Sequence, residues 1–405
     1  MALGTRPHAS QQRLHPACSF LPSMSRHRNH RLLQRDQVED SARHGPCGLL
    51  PHGQLPQGGR QRQVRDRLQQ QGHAFLLARS QLTIDDFSNL KPSPRLRRLF
   101  VPQILSAEVC ATQVTFFKCG GVAFGTAVHH GTMDGISAFH FFQTWSTFSR
   151  DGDRAVVKFP YHDRTHLCAG YPPVVHPDTL PLFCLKINLS QPSGPVINEV
   201  FTLRKDQLST LKRICGASSV STFSAMSAHL WQCMCLARRL PPNSTTRLAF
   251  SANIWRAMTA PLPDGYFGNA VINVSVADEV CGIASGDLAY IAHRIKDTLG
   301  QVDDELVRSA VDYLELDQAK RDNSPAIGNL LATDMRVVSW LGMPLYDVDF
   351  SWGKPLAMLR AQSNRGGFAH LIDRAHIVMC IDATIHKEFK RLLYAKFESM
   401  VYSKF

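Results

Sequence analysis

Regular hydrophobic patterning along this chain begins at about residue 73. HAFLLARS, residues 73–80, predicts a strand. Residues 113–118 are rich in β-branched and aromatic side chains, a Gly-Gly pair follows, and residues 122–128 return with the same character. This pattern predicts a β-hairpin whose turn lies at the two glycines.

A helix is predicted directly after the hairpin. Over residues 135–149, GISAFHFFQTWSTFS, apolar side chains recur at three-residue steps and share one face. They are Ile136, Phe139, Phe142 and Trp145. His129 and His130 therefore lie where a strand ends and a helix is about to begin, and loops held by rigid elements on both sides often carry function.

The second half of the chain also mixes strands and helices. Helices are predicted over 222–238, within 286–316 and from about Ala383, and a cap for the first of them among Ser218, Ser219 and Ser221. Strands are predicted at EVFTLRK, TRLAFSANI, AVINVSVAD, RVVSW, DFSW, MLRA and HIVMCID. No internal repeat is visible, and the pattern predicts an α/β fold with mixed sheets.

The proline-rich stretch 151–200 predicts an irregular surface segment that ends in a linker. We therefore expect two domains, at 73–190 and 191–405, which suits a chain of 405 residues with 44% hydrophobic composition.

Residues 1–72 differ from the rest in composition. They hold 11 Arg, no Lys and 4 acidic residues, a net charge of +7 out of +12 for the whole chain. They show no sustained apolar period, which predicts disorder. Three interpretations stay open: a basic arm that binds RNA or anionic lipid, a solvated disordered segment, or a stretch that is not native protein sequence because it was read from a wrong start or in a shifted frame.

Other features limit the classes of protein that fit. The 11 cysteines form no CxxC pair, no apolar run is long enough to span a membrane, and no signal-peptide pattern is present. We therefore expect a reduced, cytoplasmic protein. A nucleic-acid-binding role would depend on the first 72 residues alone.

The segment AVHHGTMDGISAFHF raises the question of chemistry. An imidazole titrates near neutral pH and suits general-base work, and Asp134 lies four residues after His130. Three interpretations compete: a general base, a metal site formed by both histidines and the aspartate, or polar residues that cap a helix. The metal site is the weakest because HExxH is absent and no second His/Cys cluster lies nearby.

Two motifs together decide between them. HHGTMDG at 129–135 fits HHxxxDG, and LYDVDFSWG at 345–353 follows about 215 residues later. In this order they resemble the plant BAHD acyltransferase family, which carries HxxxDG near mid-chain and DFGWG near the C-terminus. The segments PLPDGYFGN, STFSAMSAHLW, YHDRTHL and SAVDYLEL also match, so that the resemblance covers residues 73–405.

The resemblance implies two similar α/β domains, like those of chloramphenicol acetyltransferase, with a solvent channel between them and HxxxD at its middle. The first domain would be incomplete if residues 1–72 do not belong to it. His130 would be the base, Asp134 would pair with an arginine, Asp349 would be structural or a second proton acceptor, and the Trp352 indole N–H would donate to the oxyanion. Acyl-CoA would be a co-substrate, no permanent cofactor or metal would be needed, and the enzyme would act as a monomer on small molecules, without membrane or nucleic acid.

The resemblance also suggests residues that line the substrate site, with ordinary packing as the alternative for each. These are Gly135, Ser221, Thr222, Arg256, Tyr266, Phe267, Gly268 and Asn269. The chain departs from the family pattern at two points. Trp255 stands where the family arginine belongs, and Ser351 replaces a glycine, at a cost of about 1 kcal/mol or more if φ there is positive.

The amino-acid sequences of these motifs resemble those of the hydroxycinnamoyl-CoA branch of the family, which acts in plant secondary metabolism. Shikimate-type members carry an Arg-Gly after DYLEL, which binds the acceptor carboxylate, and this chain has none there. We therefore expect an amine acceptor, a polyamine, agmatine or an aromatic amine, as in phenolamide biosynthesis. Alternatives are O-acylation of an alcohol such as shikimate or quinate, and a catalytically impaired relative without an N-terminal pocket wall.

Overall fold

The computed structural model describes residues 14–21, 74–87, 91–103, 109–183, 189–190, 194–320, 329–362, 365–373 and 376–402. The strands are β1 Leu14–Leu21, β2 Ala74–Ser80, β3 Cys110–Phe117, β4 Val122–His129, β5 Leu189–Ser190, β6 Val196–Thr202, β7 Thr245–Asn253, β8 Val271–Glu279, β9 Asn329–Leu330, β10 Asp334–Ser339, β11 Ala357–Leu359, β12 Phe368–Leu371 and β13 His376–Asp382. The α-helices are α1 Pro94–Phe100, α2 Gly135–Asp151, α3 Leu180–Phe183, α4 Lys205–Ile214, α5 Thr222–Arg238, α6 Val280–Ser285, α7 Leu288–Gly300, α8 Asp304–Lys320 and α9 His386–Tyr402.

The first sheet has five strands in the order β11-β1-β4-β3-β2. β3 and β4 form the predicted antiparallel hairpin, with Phe116 opposite Val122, so this prediction is confirmed. One face of the sheet packs on the predicted helix α2 through a cluster that includes Phe124, Phe142 and Trp145. The helix begins where the strand pattern ends, and this fixes the segment 130–134 at both of its ends.

Two strands of this sheet come from unexpected parts of the chain. β1 lies within residues 1–72, where the composition predicts disorder, and pairs along its whole length with β4. β11 comes from the second half and pairs with β1 through residues 357–359. The segment 348–361 therefore belongs to the first sheet and its core, although it lies beyond the predicted boundary at residue 190.

The second sheet has six strands in the order β6-β13-β12-β10-β7-β8. α5, α7 and α9 cover one of its faces, and the core cluster there holds alternate residues of each central strand, such as Met335 and Val337 of β10. The α/β class with two mixed sheets is confirmed: β10 runs parallel to β7 and β12, while β7 and β8 are antiparallel.

Two local predictions are wrong. The expected helix within 286–316 is divided between α7 and α8, because residues 301–303 interrupt it where the Asp303 carboxylate caps the next helix by accepting from the Leu306 N–H. DFSW is a loop and not a strand, since Ser351 and Gly353 have positive φ angles of 69° and 89°.

Within the described parts of the chain, no helix is both long enough and apolar enough to cross a lipid bilayer.

We predict that Gly125→Ala destabilises the protein strongly. A Cβ on Gly125 of β4 would lie 1.7 Å from the carbonyl oxygen of Phe100, at the end of α1, and backbone cannot move aside cheaply. Urea unfolding should show a loss of about 1–3 kcal/mol or more. Gly300→Ala is the control, because nothing lies within 4 Å of the added Cβ and alanine favours helix. An equal loss in both variants would contradict the prediction.

Candidate active site

The turn after β4 holds His130 in place. The His129 N–H donates to the Val109 carbonyl at 2.8 Å, and the His129 carbonyl accepts from the N–H and hydroxyl of Thr132 at 3.0 and 2.7 Å. The Gly131 N–H donates to the His129 ring at 3.2 Å. His129 is therefore a buried structural residue, and it fixes the backbone on which His130 is presented.

His130 is half-buried and has a lowered pKa. Burial is the largest cause; a hydrogen bond with its own backbone and the charge of Asp134 oppose it, and the charges of Arg336 and Arg360 lower the pKa further. The imidazole is therefore mainly neutral at pH 7. A neutral imidazole can accept a proton, which is the requirement for a general base.

Asp134 is buried and points into the protein rather than toward a substrate. One carboxylate oxygen caps α2 by accepting from the Ser137 N–H at 2.8 Å, and the other accepts from the Ala270 N–H at 3.0 Å. Its own N–H donates to the Gly268 carbonyl at 2.8 Å. Two N–H donors and the positive end of α2 stabilise the charge.

The arginine partner implied by the family resemblance is not found. Among the described residues no arginine forms an ion pair with Asp134, and Arg256 is exposed to solvent. Trp255, at the position of the family arginine, packs its ring against Tyr266. The backbone N–H groups take the place of the arginine in compensating the buried carboxylate.

The loop YFGN is bound to the first turn of α2 from the opposite side. The Ser137 hydroxyl donates to the Gly268 carbonyl at 2.9 Å and accepts from the Gly268 N–H at 3.1 Å. Tyr266 and Phe267 are buried, and the Phe267 N–H donates to the Tyr161 carbonyl at 2.8 Å. We call this arrangement of Asp134, Ser137 and residues 266–270 the latch, because it joins α2 to the loop between β7 and β8.

The remaining predicted substrate-side residues are spread over both halves of the chain. Ser221 is the exposed cap of α5, where its hydroxyl accepts from the Ser224 N–H at 3.0 Å, and Thr222 is half-buried behind it. Asn269 is exposed beside the latch. Gly135 permits a close approach at the site, because an added Cβ would lie 3.1 Å from the Met343 methyl carbon.

DFSWG forms a compact loop stabilised from within. The Asp349 carboxylate accepts from the Gly353 N–H at 3.1 Å. Ser351 has φ = 69°, so the strained backbone expected at this glycine-to-serine departure is confirmed. Trp352 is buried among aromatic rings, with its centroid 6.2 Å from Phe116 and 5.4 Å from Phe350, and no described residue accepts from its indole N–H.

This loop lies far from His130. Phe116 is at the turn end of the β3–β4 hairpin, and His130 follows the other end, roughly 23 Å along β4. The pKa of Arg150, in the last turn of α2, is raised by its hydrogen bond to Asp151 and also by the charge of Asp349. The Asp349 carboxylate therefore lies near the last turn of α2, about 20 Å from the first turn of that helix. The arrangement corrects the expectation that Trp352 donates to the oxyanion, since this side chain supports the core. Of the two roles considered for Asp349, the arrangement favours the structural one.

Two buried cations that were not predicted from the sequence lower the pKa of His130. Arg336 lies in β10 and Arg360 follows β11, and burial lowers the pKa of each to about 10, so both stay charged at neutral pH. Arg360 donates to the His370 ring and to the Gln362 carbonyl. A charged residue within the apolar strand DMRVVS was the available signal, but strand patterning alone does not reveal which distant loop that strand faces.

No group of three or more His, Cys, Asp or Glu side chains suited to a metal ion occurs among the described residues.

Comparison with known proteins gives one family match and three similar relatives. The Transferase family model matches residues 59–391. Putrescine hydroxycinnamoyltransferase 1 of Oryza sativa subsp. japonica is 37% identical over 80% of this chain and 78% of its own length. A hydroxycinnamoyl-CoA:5-hydroxyanthranilate N-hydroxycinnamoyltransferase of Avena sativa is 32% identical (77% and 76% covered), and shikimate O-hydroxycinnamoyltransferase of Nicotiana tabacum is 32% identical (71% and 70%).

A solved structure shares the fold. TRI101 of F. sporotrichioides, in complex with coenzyme A and T-2, superposes with a TM-score of 0.74 over 95% of this chain and 94% of its own, at 16% identity.

We predict that Asp134→Asn weakens the latch. An amide can present its oxygen to the Ser137 N–H, but its NH₂ group then faces the Ala270 N–H, and two donors cannot bond. Loss of a buried charged acceptor should cost about 1–3 kcal/mol in thermal or urea unfolding and reduce turnover. Asp287→Asn is the matched control, since the exposed Asp287 caps α7 through the Ala289 N–H alone and asparagine caps equally well. Wild-type stability in Asp134→Asn would contradict the role of the latch.

We predict that the acid limb of the kcat/KM profile lies below pH 6.5. A base acts when deprotonated, so activity falls only as the pH drops through the lowered pKa of His130. Arg336→Gln removes a nearby positive charge, raises the pKa of His130 and should move the limb to higher pH. The measurement uses an alcohol acceptor, because an alcohol does not titrate in this pH range. Arg308→Gln, at an exposed arginine of α8, is the control. A limb that moves downward in Arg336→Gln would refute this electrostatic account.

Proposed function

The chain belongs to the Transferase family, the BAHD acyl-CoA-dependent acyltransferases, and from this premise we propose that it transfers a hydroxycinnamoyl group from coenzyme A to an amine, with His130 as the general base. The observation that carries the proposal is the half-buried imidazole of lowered pKa, on a turn fixed between β4 and α2. Asp134 is engaged in the latch, so the imidazole remains the group that can accept a proton.

The reaction needs one proton acceptor that later becomes a donor. His130 takes a proton from the acceptor N–H as the nitrogen of the acceptor amine attacks the thioester carbonyl. The tetrahedral oxyanion collapses, the C–S bond breaks, and the leaving thiolate of CoA takes the proton from the imidazolium. A positioned base contributes about 10²–10⁴-fold, and alignment of the two substrates contributes up to about 7–11 kcal/mol of the barrier.

The choice of an amine acceptor rests on the relatives and on sequence. The rice relative is named for putrescine and an oat relative for 5-hydroxyanthranilate, both of which present an amine, and the region after DYLEL lacks the Arg-Gly pair of shikimate-type members. The tobacco relative is named for shikimate, which favours O-acylation of an alcohol as the second candidate. Both candidates use the same base and the same thioester.

The groups that contact CoA are proposed from the exposed and half-buried residues near the latch and α5. These are Ser221, Thr222, Arg256 and Asn269. Tyr266, Phe267 and Gly268 support that surface from inside, since all three are buried and bonded into the latch or packed against it. Gly135 is assigned to the acceptor side because it faces Met343.

We predict that His130→Ala lowers turnover by about 10²-fold or more with p-coumaroyl-CoA and a panel of amines and alcohols. The released thiol and the amide or ester product are both measured. His176→Gln, at a half-exposed histidine paired with Glu305, is the matched control and should keep wild-type turnover.

Undiminished product formation in His130→Ala would overturn the assignment of the base. Wild-type protein that unfolds in one cooperative transition yet turns over no acceptor would favour the catalytically impaired relative instead.

A further inference from the structure

The face of the second sheet that is turned away from its helices carries a group of polar side chains beside apolar ones such as Val378 and Phe368. In β10 the side chains of Met335 and Val337 pack in the helix-side core, so the alternate residue Arg336 projects from the opposite face. The same alternation places polar side chains of the neighbouring strands on that face. They are Ser251 of β7, Asn273 of β8 and His370 of β12. A buried sheet face usually holds apolar residues, so a polar group on such a face indicates contact with a polar ligand or partner.

This face is turned toward the first turn of α2. The loop after β10 reaches it directly, since the Trp340 ring lies 6.1 Å from that of Phe139 and Met343 lies against Gly135. His130 lies five residues before Gly135, in the turn that the latch fixes. The polar face and the proposed base therefore border the same space.

Arg336 is 9% exposed and has neutral partners only. One terminal nitrogen, Nη2, donates to the Ser251 hydroxyl at 3.1 Å and to the Asn273 side-chain oxygen. No described residue accepts from its Nε or Nη1, and no described carboxylate pairs with it. A buried guanidinium without an anionic partner is costly, so a ligand that supplies the anion gains the compensating interaction.

We propose that Arg336 is a specificity residue that binds a carboxylate of the acceptor, so that the preferred substrate carries both a nucleophilic amine and a carboxylate. This rests on the proposed function and narrows its amine class. Ser251 and Asn273 hold the guanidinium plane, and the remaining donors are left for the acid group. The lack of an Arg-Gly pair after DYLEL does not leave the site without a cation, because β10 supplies one.

The same charge disfavours a diamine. With one amine deprotonated for attack, the second ammonium would lie in a site that already holds Arg336 and Arg360, and like charges in a buried site repel. A small planar acid fits better than a CoA phosphate, because Arg336 lies on a central strand of the sheet and is almost fully enclosed.

The test measures binding of two acceptors that differ only in the carboxylate, anthranilate and aniline, by titration calorimetry in saturating CoA. Wild type should bind anthranilate more tightly than aniline. Arg336→Gln should lower the affinity for anthranilate by about tenfold or more, as loss of a charged hydrogen bond predicts. The affinity for aniline should stay within about twofold of the wild-type value. Arg308→Gln, at an exposed arginine paired with Asp304, is the control.

Asn273→Asp provides a second variant that keeps the arginine and the side-chain size. The new carboxylate would pair with Arg336 in place of the substrate, so the preference for anthranilate should disappear as in Arg336→Gln. Thermal melts report whether each variant is folded.

The proposal is overturned if the ratio of the affinities for anthranilate and aniline is unchanged in both variants. It is also overturned if the affinities for both ligands fall by the same factor. Faster wild-type turnover of putrescine than of anthranilate also overturns it, while leaving acyl transfer itself intact. Failure of the His130→Ala test is separate, because the binding ratio does not depend on turnover.

Discussion

The buried carboxylate of Asp134 is the interaction on which the site depends. It accepts one N–H from the helix it caps and one from Ala270 in the other half of the chain. The strand before it and the helix after it could each form alone. This carboxylate joins the turn between them to the loop 266–270, together with the bonds that Gly268 makes to the Asp134 N–H and the Ser137 hydroxyl. A base must be fixed to a fraction of an ångström, and two short charge-assisted bonds provide that fixing.

Much of the fold follows from local patterns. The hairpin β3–β4, α2 and α5 were predictable because turn glycines, three-residue apolar steps and a serine cap act over a few neighbours. β1 was not predicted, and the strand predicted at MLRA gave no indication of its place in the first sheet, since both pairings depend on partners far away in sequence. The loop DFSW resembles a strand by composition, and only the positive φ of Ser351 and Gly353 shows that the chain turns there.

The candidate active site was likewise predictable only in part. His130 and Asp134 could be found from the spacing of one motif, and the family resemblance supplied their roles. The resemblance gave a misleading place for Asp349 and Trp352, because short motifs show that residues matter and not where they lie. Arg336 was missed for the opposite reason: it belongs to no motif, and its effect on the site arises from the packing of two sheets.

The position of β11 has a consequence for synthesis of the protein. Its residues 357–359 pair with β1 and close the first sheet, and Leu359 and Ala361 complete the core beneath α1. A ribosome must therefore translate nearly the whole chain before the sheet that bears His130 gains its last strand. Until then the nascent amino-terminal half exposes an open edge, so chaperones that shield such edges would act longest on this half.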